Sequence, residues 1–163
     1  MYSDDFRENY VITPKKGTTG NERFYIMALD DIDNSEHYWY KSAYNKMTID
    51  TSEDFEKGKE NTQTMISQWN SNKYPPQDDN DMWGLIQTQV NNGWFVPSRA
   101  EWSAFVEELG ITKKNYVNYK LSDWYWSSSQ DDTLAAWLAT FDYGFMGRSD
   151  VNNDFYVRLA ATF

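Results

Sequence analysis

The chain has 163 residues, and its 25 acidic residues against 15 basic residues give a formal net charge of -10. This charge repels phosphate backbones, so nucleic acid is excluded as the expected partner. The absence of cysteine excludes disulfides, thiolate metal sites and thiol nucleophiles. A chain of this length buries roughly 70% of the surface that it exposes when unfolded, and we expect one domain over residues 1–163.

Aromatic residues make up 18% of the chain, with 8 Trp, 12 Tyr and 9 Phe. Aromatic side chains in a polar chain form either a core or a recognition surface, and we expect both here. The sequence has no apolar run near the ~20 residues that a membrane span needs. It also lacks a charged start followed by an apolar stretch, so we expect no export signal.

The first elements are predicted to be strands. Residues 10–13 read as an edge strand followed by a turn, and residues 24–29 read as an apolar strand. Asp30, Asp31 and Asp33 end this second strand. Their spacing lacks the glycine and the distal glutamate of a calcium loop, so we interpret them as a solvated turn and expect no metal.

His37 is the only histidine of the chain. A lone histidine among aromatic residues is more often packed or exposed than catalytic. Without further histidines the chain cannot form a serine-histidine-acid triad or a multi-histidine zinc site. We therefore expect no catalytic residue here.

The central part of the chain is predicted to be helical. A first helix is expected to begin near Asn61, because Met65, Ile66 and Trp69 fall on one face at helical spacing. In residues 82–86 we expect Met82, Trp83, Leu85 and Ile86 to be buried, in a short helix.

A capping box gives the clearest local signal. Ser98 and Glu101 form the S-x-x-E pattern in which each side chain accepts a hydrogen bond from an unpaired backbone amide at a helix start. The apolar residues that follow at helical spacing are Trp102, Phe105, Val106 and Leu109. Gly110 supplies a left-handed stop, which predicts a helix between Ser98 and Gly110.

Everything after Trp124 reads as short antiparallel strands, ending in a last strand over residues 155–163. Ser127, Ser128 and Ser129 have no histidine nearby and no glycine elbow, so we expect them to bond loop backbone. Arg158 is interpreted as part of a buried ion pair or a backbone cap, with a substrate carboxylate as the less favoured alternative.

Strand alternation makes a prediction for residues 137–141. It buries Trp137, Ala139 and Phe141 and exposes Leu138 and Thr140. Residues 142–144 then form a turn.

Three stretches together resemble a known family: GWFVPSRAEW at residues 93–102, YWSSS at 125–129 and YVRLAATF at 156–163. Their order resembles bacterial and phage C-type-lectin-like domains, above all the variable proteins of diversity-generating retroelements and related gut-bacterial domains. The resemblance covers residues 24–163. It implies an α+β fold with two main helices on short antiparallel strands, whose segment 124–163 displays a ligand-binding face.

The family also implies which positions vary. Its codons are rewritten by adenine-directed mutagenesis, which can yield Asn, Asp, Tyr, Ser, Thr, Leu, Phe, Gly and Ala but not Trp, Met, Gln, Glu or Lys. Gln130, Trp137 and Met146 are then invariant scaffold. Combined with alternation and turns, this rule predicts a variable, ligand-contacting surface made of Leu138, Thr140, Asp142, Tyr143, Phe145, Gly147, Ser149, Asp150, Asn152, Asn153 and Asp154.

The chain departs from two other groups that share the fold. Sugar-binding C-type lectins hold a calcium through a proline-centred motif and a Trp-Asn-Asp strand, usually with disulfides, and this chain has neither the motif nor cysteine. Formylglycine-generating enzymes work through cysteines. We therefore expect no calcium, no cofactor and no enzymatic activity.

The expected function is that of a non-enzymatic binding module, with Tyr143 and Phe145 as anchors and a protein or other macromolecule as partner. Display on a phage tail or a cell surface would suit such a module. Two alternatives stay open. One is an invariant adhesive or structural domain of a surface protein, and the other is a glycan hydrolase with paired carboxylates in an aromatic cleft, although no spacing selects a pair.

Overall fold

A computed structural model describes residues 9–13 and 24–163 of the chain. The turn predicted after residue 13 lies outside the described residues. Within them no helix has both the length and the apolar character needed to cross a membrane.

The described residues combine helices and strands, so the fold is α+β. The helices are α1 (Gly58–Asn70), α2 (Met82–Leu85), α3 (Gln87–Asn91) and α4 (Arg99–Leu109), with 3-10 turns at Lys41–Ala43 and Tyr116–Tyr119. The strands are β1 (Tyr10–Ile12), β2 (Tyr25–Met27), β3 (His37–Tyr38), β4 (Trp124–Gln130), β5 (Ala135–Thr140), β6 (Met146–Asp150), β7 (Asp154–Phe155) and β8 (Ala160–Thr162).

The strands pair into small antiparallel sheets with the orders β1-β2-β8, β3-β7 and β4-β5-β6. The predicted edge strand over residues 10–13 is confirmed by β1, which lies at the edge of the first sheet. Its neighbour β2 occupies the middle of the apolar run predicted as a strand. In that sheet Val11 faces Ile26, and Ile26 in turn faces Ala161 of the last strand. The two ends of the described chain therefore meet in one sheet.

Helix α4 confirms the capping-box prediction. The Ser98 N–H donates to Glu101 Oε2 at 2.8 Å, and the Glu101 N–H donates to Ser98 Oγ at 3.2 Å. Gly110 ends the helix with a φ of 66°, which is the left-handed conformation that glycine adopts without steric cost. Each of these two signals involves only residues within one helical turn of each other, so the sequence alone is enough to predict it.

The other helices differ in detail from the predictions. Helix α1 begins at Gly58, three residues before Asn61. Met82, Trp83 and Ile86 are buried as expected, whereas Leu85 is 40% exposed. The predicted burial of Leu85 is therefore wrong, because the short helix α2 turns only part of its surface inward.

Strand β5 is the central strand of its sheet, and it separates two hydrophobic clusters. The predicted alternation holds, since Leu138 packs in the cluster with Trp83 and Trp126, while Ala139 packs in the cluster with Trp102. The predicted exposure of Leu138 and Thr140 is wrong. Their exposed fractions are 1% and 6%, because both faces of the strand are covered.

Trp137 is partly buried, so its predicted burial holds only in part. Its indole N–H donates to Glu53 Oε1 at 2.7 Å, and the Arg99 guanidinium lies 4.0 Å from the ring centroid. An ion pair between Arg99 and Glu53 at 2.7 Å completes this cluster. The cluster ties the start of α4 to β5.

The predicted last strand over residues 155–163 is divided into β7 and β8. Arg158, 1% exposed, lies in the interruption. Its guanidinium donates to Asp31 Oδ1 at 2.8 Å and to the carbonyls of Tyr119 at 3.1 Å and Lys120 at 2.5 Å. These bonds confirm the interpretation of Arg158 as a buried ion pair that also caps backbone carbonyls.

Candidate functional site

The turn between β5 and β6 projects aromatic side chains into solvent. Tyr143 is 82% exposed and Phe145 is 39% exposed. Strand β6 pairs with β5 along its length, with Ala139 opposite Met146 and Ala135 opposite Asp150. The turn therefore stands on a pair of strands whose inner member is buried.

A pocket of about 230 Å³ lies beside this turn. Its walls are formed by Trp124, Leu138, Thr140, Tyr143, Gly144, Met146, Gly147 and Arg148. We call it the hairpin pocket. Leu138 and Thr140 are buried and form its floor. A Cβ atom at position 147 would lie 3.3 Å from Thr140 Cγ2 and 3.5 Å from Leu138 Cδ1, so Gly147 keeps this pocket open.

The predicted site residues divide into groups. The hairpin pocket is lined by four of them, Leu138, Thr140, Tyr143 and Gly147. Asp142 does not line it but accepts a hydrogen bond from Trp124, which does. A second group lies away from the turn, at the far end of the β5–β6 strand pair or just after it, and consists of Ser149, Asp150, Asn152 and Asn153. There the Asn153 amide donates to Ser149 Oγ at 2.8 Å. Asp154 belongs to β7 and pairs with Tyr38. The structure therefore brings only part of the predicted surface together around one pocket.

The hairpin pocket also contains residues that were not predicted to contact a ligand, namely Trp124, Gly144, Met146 and Arg148. Arg148 forms an ion pair with Asp131 and approaches Asp132 at 3.4 Å. Since Arg148 and Met146 lie on alternate positions of β6, a reading of β6 as an exposed edge strand could have found them. Nothing local in the sequence points to Trp124, which comes from a different strand.

The Trp124 ring is held from two sides. Its indole N–H donates to Asp142 Oδ1 at 2.6 Å, and its ring stacks on Phe155 with centroids 5.2 Å apart and an interplanar angle of 28°. Phe155 packs in turn edge-on against Trp126 at 4.9 Å. These contacts give Trp124 a defined orientation at the surface.

A second and larger depression of about 530 Å³ also uses Trp124. It is lined by Glu36, Ser122, Asp123, Trp124, Phe155 and Tyr156, and we call it the acidic cleft. Partial burial raises the pKa of Glu36, and the nearby negative charge of Asp154 raises it further. Asp123 accepts a hydrogen bond from the Tyr116 hydroxyl at 2.5 Å, and this bond raises the pKa of Tyr116.

The serines of β4 have structural partners. Ser127 Oγ donates to the Trp137 carbonyl at 2.7 Å, and Ser129 Oγ donates to the Ser52 carbonyl at 2.7 Å. Ser128 Oγ accepts from the Asn61 amide at 3.3 Å. The prediction that these serines bond loop backbone is confirmed for Ser129, whereas Ser127 bonds the backbone of strand β5 instead.

His37 is 3% exposed and therefore packed. Its ring nitrogens lie 2.6 Å from Asn80 Oδ1 and 2.7 Å from Asp33 Oδ1. Both nitrogens are thus engaged with neighbouring side chains. In the described part of the chain no three His, Asp or Glu side chains are grouped so that they could hold a metal ion.

Comparison of the chain with protein-family models, with curated proteins and with solved structures finds no match.

Proposed function

We propose that this chain is a non-enzymatic ligand-binding module with a C-type-lectin-like fold, and that it is a variable protein of a diversity-generating retroelement. Its ligand is a protein or another macromolecule. The observation that carries the proposal is a pair of exposed aromatic residues, namely Tyr143, which lines the hairpin pocket, and Phe145 in the same turn. They stand in the turn between β6, which is partly exposed, and β5, which is buried in the core.

Exposed aromatic side chains in a turn between two paired strands are well suited to bind a macromolecular ligand. Tyr and Phe give a large contact area at a low cost in conformational entropy, because each has few rotatable bonds. Aromatic anchors of this kind dominate the binding energy of many interfaces. The strand pair β5–β6 holds them in place, since rigid elements position a binding surface more accurately than free loops. Substitution in this turn can change the ligand without disturbing the core.

The burial pattern narrows the proposed surface. Leu138 and Thr140 are part of the pocket floor, so their substitution affects the scaffold as well as the ligand. A side chain at Gly147 would point toward the same floor. The projecting positions are Asp142, Tyr143, Phe145, Ser149, Asp150, Asn152, Asn153 and Asp154, all of them at least partly exposed. We propose that ligand specificity depends mainly on these.

The test is to sequence the DNA next to the gene. The proposal expects a near-copy of the segment encoding residues 124–163, beside a reverse transcriptase gene, in which the differences fall where the copy has adenine. Those differences should coincide with the projecting positions. Absence of such a copy would overturn the retroelement part of the proposal and leave an invariant adhesive or structural domain.

A further inference from the structure

The acidic cleft is a separate site from the hairpin pocket. Among the described residues the two share Trp124 and no other lining residue. Its volume of about 530 Å³ lies within the range of roughly 300–1,000 Å³ that is typical of ligand pockets. Ligand binding in this cleft does not require the hairpin surface to be the variable one.

The aromatic wall of the cleft is held by backbone pairing. The Tyr156 N–H donates to the Trp124 carbonyl at 3.3 Å, and the Trp126 N–H donates to the Tyr156 carbonyl at 3.1 Å. The Trp124 and Phe155 rings are stacked on one another. This wall is therefore formed before any ligand arrives, so binding costs little ordering of the protein.

Carboxylates surround this wall. Glu36 and Asp123 line the cleft, Asp142 holds the indole edge, and Asp154 lies close enough to Glu36 to affect its ionisation. In the described part of the chain, none of these carboxylates has a lysine or arginine nitrogen within 4.0 Å. The neutral hydroxyl of Tyr116 is the donor to Asp123. Within residues 9–13 and 24–163 the local charge is thus negative, without a basic side chain at ion-pair distance.

A site of this composition selects its ligand by charge. Aromatic faces attract ammonium and guanidinium groups, and nearby carboxylates add charge-assisted hydrogen bonds. An anion would be repelled, and a purely apolar group would remove water from the carboxylates without replacing their hydrogen bonds. We propose that the acidic cleft binds a lysine or arginine side chain of a protein partner, with its cationic head between Glu36 and Asp123 and its stem along Trp124 and Phe155.

The experiment follows the indole N–H signal of Trp124 by NMR in the ¹⁵N-labelled full chain, assigned by its loss in Trp124→Phe. The probes are capped Gly-Arg-Gly and Gly-Lys-Gly peptides. The matched neutral probes carry citrulline in place of arginine and acetyl-lysine in place of lysine. We expect a saturable shift with the charged peptides, weakened by added salt, and no saturable shift with the neutral ones.

Two double variants with the same change in net charge distinguish binding in the cleft from attraction by the overall negative charge of the protein. Glu36→Gln with Asp123→Asn removes the cleft charges and keeps an acceptor for Tyr116. Asp79→Asn with Glu107→Gln removes two exposed charges that do not line the cleft. We expect the first variant to lose roughly five- to tenfold in affinity and the second to change little.

Three results would overturn the proposal. They are an equal response to charged and neutral peptides, an equal loss of affinity in both double variants, and no saturable shift in a protein whose spectrum shows it folded. Hydrolysis of a glycan that is lost in Glu36→Gln would also overturn it, by assigning the cleft to catalysis. The three binding results leave the proposed function and its DNA test untouched, so failure here is distinguishable from failure there. Only glycan hydrolysis would also contradict the non-enzymatic part of the proposed function.

Discussion

The indole N–H of Trp124 donates to Asp142 Oδ1 at 2.6 Å, which links the start of β4 to the turn that follows β5. This bond fixes the ring that stands between the hairpin pocket and the acidic cleft. Asp142, one of the predicted ligand-contacting residues, therefore also positions a neighbouring aromatic side chain.

Asp142→Ala should release the Trp124 ring while leaving the fold intact. The acceptor of the indole N–H is lost, so its NMR signal should move upfield and exchange faster with solvent. The free energy of unfolding should fall by about 1 kcal/mol, since the bond is exposed to water. Asp142→Asn keeps an acceptor and is the control. An identical shift of the signal in both variants would contradict this role.

Leu138 and Tyr143 should respond oppositely to truncation, although both were expected to project from the surface. Leu138→Ala should lower the free energy of unfolding by about 2–5 kcal/mol, because it leaves a cavity between packed aromatic residues. Tyr143→Ala should change it by less than about 0.5 kcal/mol. Urea unfolding measures both. A large loss in Tyr143→Ala would show that the turn is part of the core.

Glu101 should make the stability depend on pH. Burial raises its pKa from 4.5 to about 7, even though the carboxylate accepts from the backbone of Ser98, Gly58 and Glu56. The folded state therefore favours the protonated carboxyl. Its ionisation costs stability as the pH rises from about 4.5 through 7, by about 3 kcal/mol in total.

Glu101→Gln mimics the protonated form and keeps the cap acceptor. The variant should match the wild type near about pH 5 and exceed it by about 2–3 kcal/mol near about pH 8.5, because only the wild type ionises. Urea unfolding at both pH values gives the difference. If that difference stayed constant with pH, the carboxyl would not be titrating in this window.

Gly58 is expected to be intolerant of a side chain. A Cβ atom there would lie 2.1 Å from Glu101 Oε2 and 2.9 Å from the Ser98 nitrogen. Gly58→Ala should therefore lower the free energy of unfolding by about 1–3 kcal/mol, despite the better helix propensity of alanine. Lys59→Ala, at the next and exposed position, should be nearly neutral. Equal stability of the two variants would show that the helix start shifts without cost.

The sequence alone determined the features whose causes lie within one turn or one strand. The capping box of Ser98 and Glu101 and the stop at Gly110 require only residues that are close along the chain, and they were predicted correctly. The alternation along β5 was also correct, since it follows from strand geometry.

Only the tertiary structure decided that both faces of β5 would be covered. Leu138 is covered because it packs in one cluster with Trp126 of the neighbouring strand β4 and with Trp83, which lies far away along the chain. The acidic cleft likewise joins Glu36 to Tyr156 across most of the chain. Burial depends on what lies opposite a residue rather than on its own neighbours, so local periodicity predicts the direction of a side chain but not what it meets.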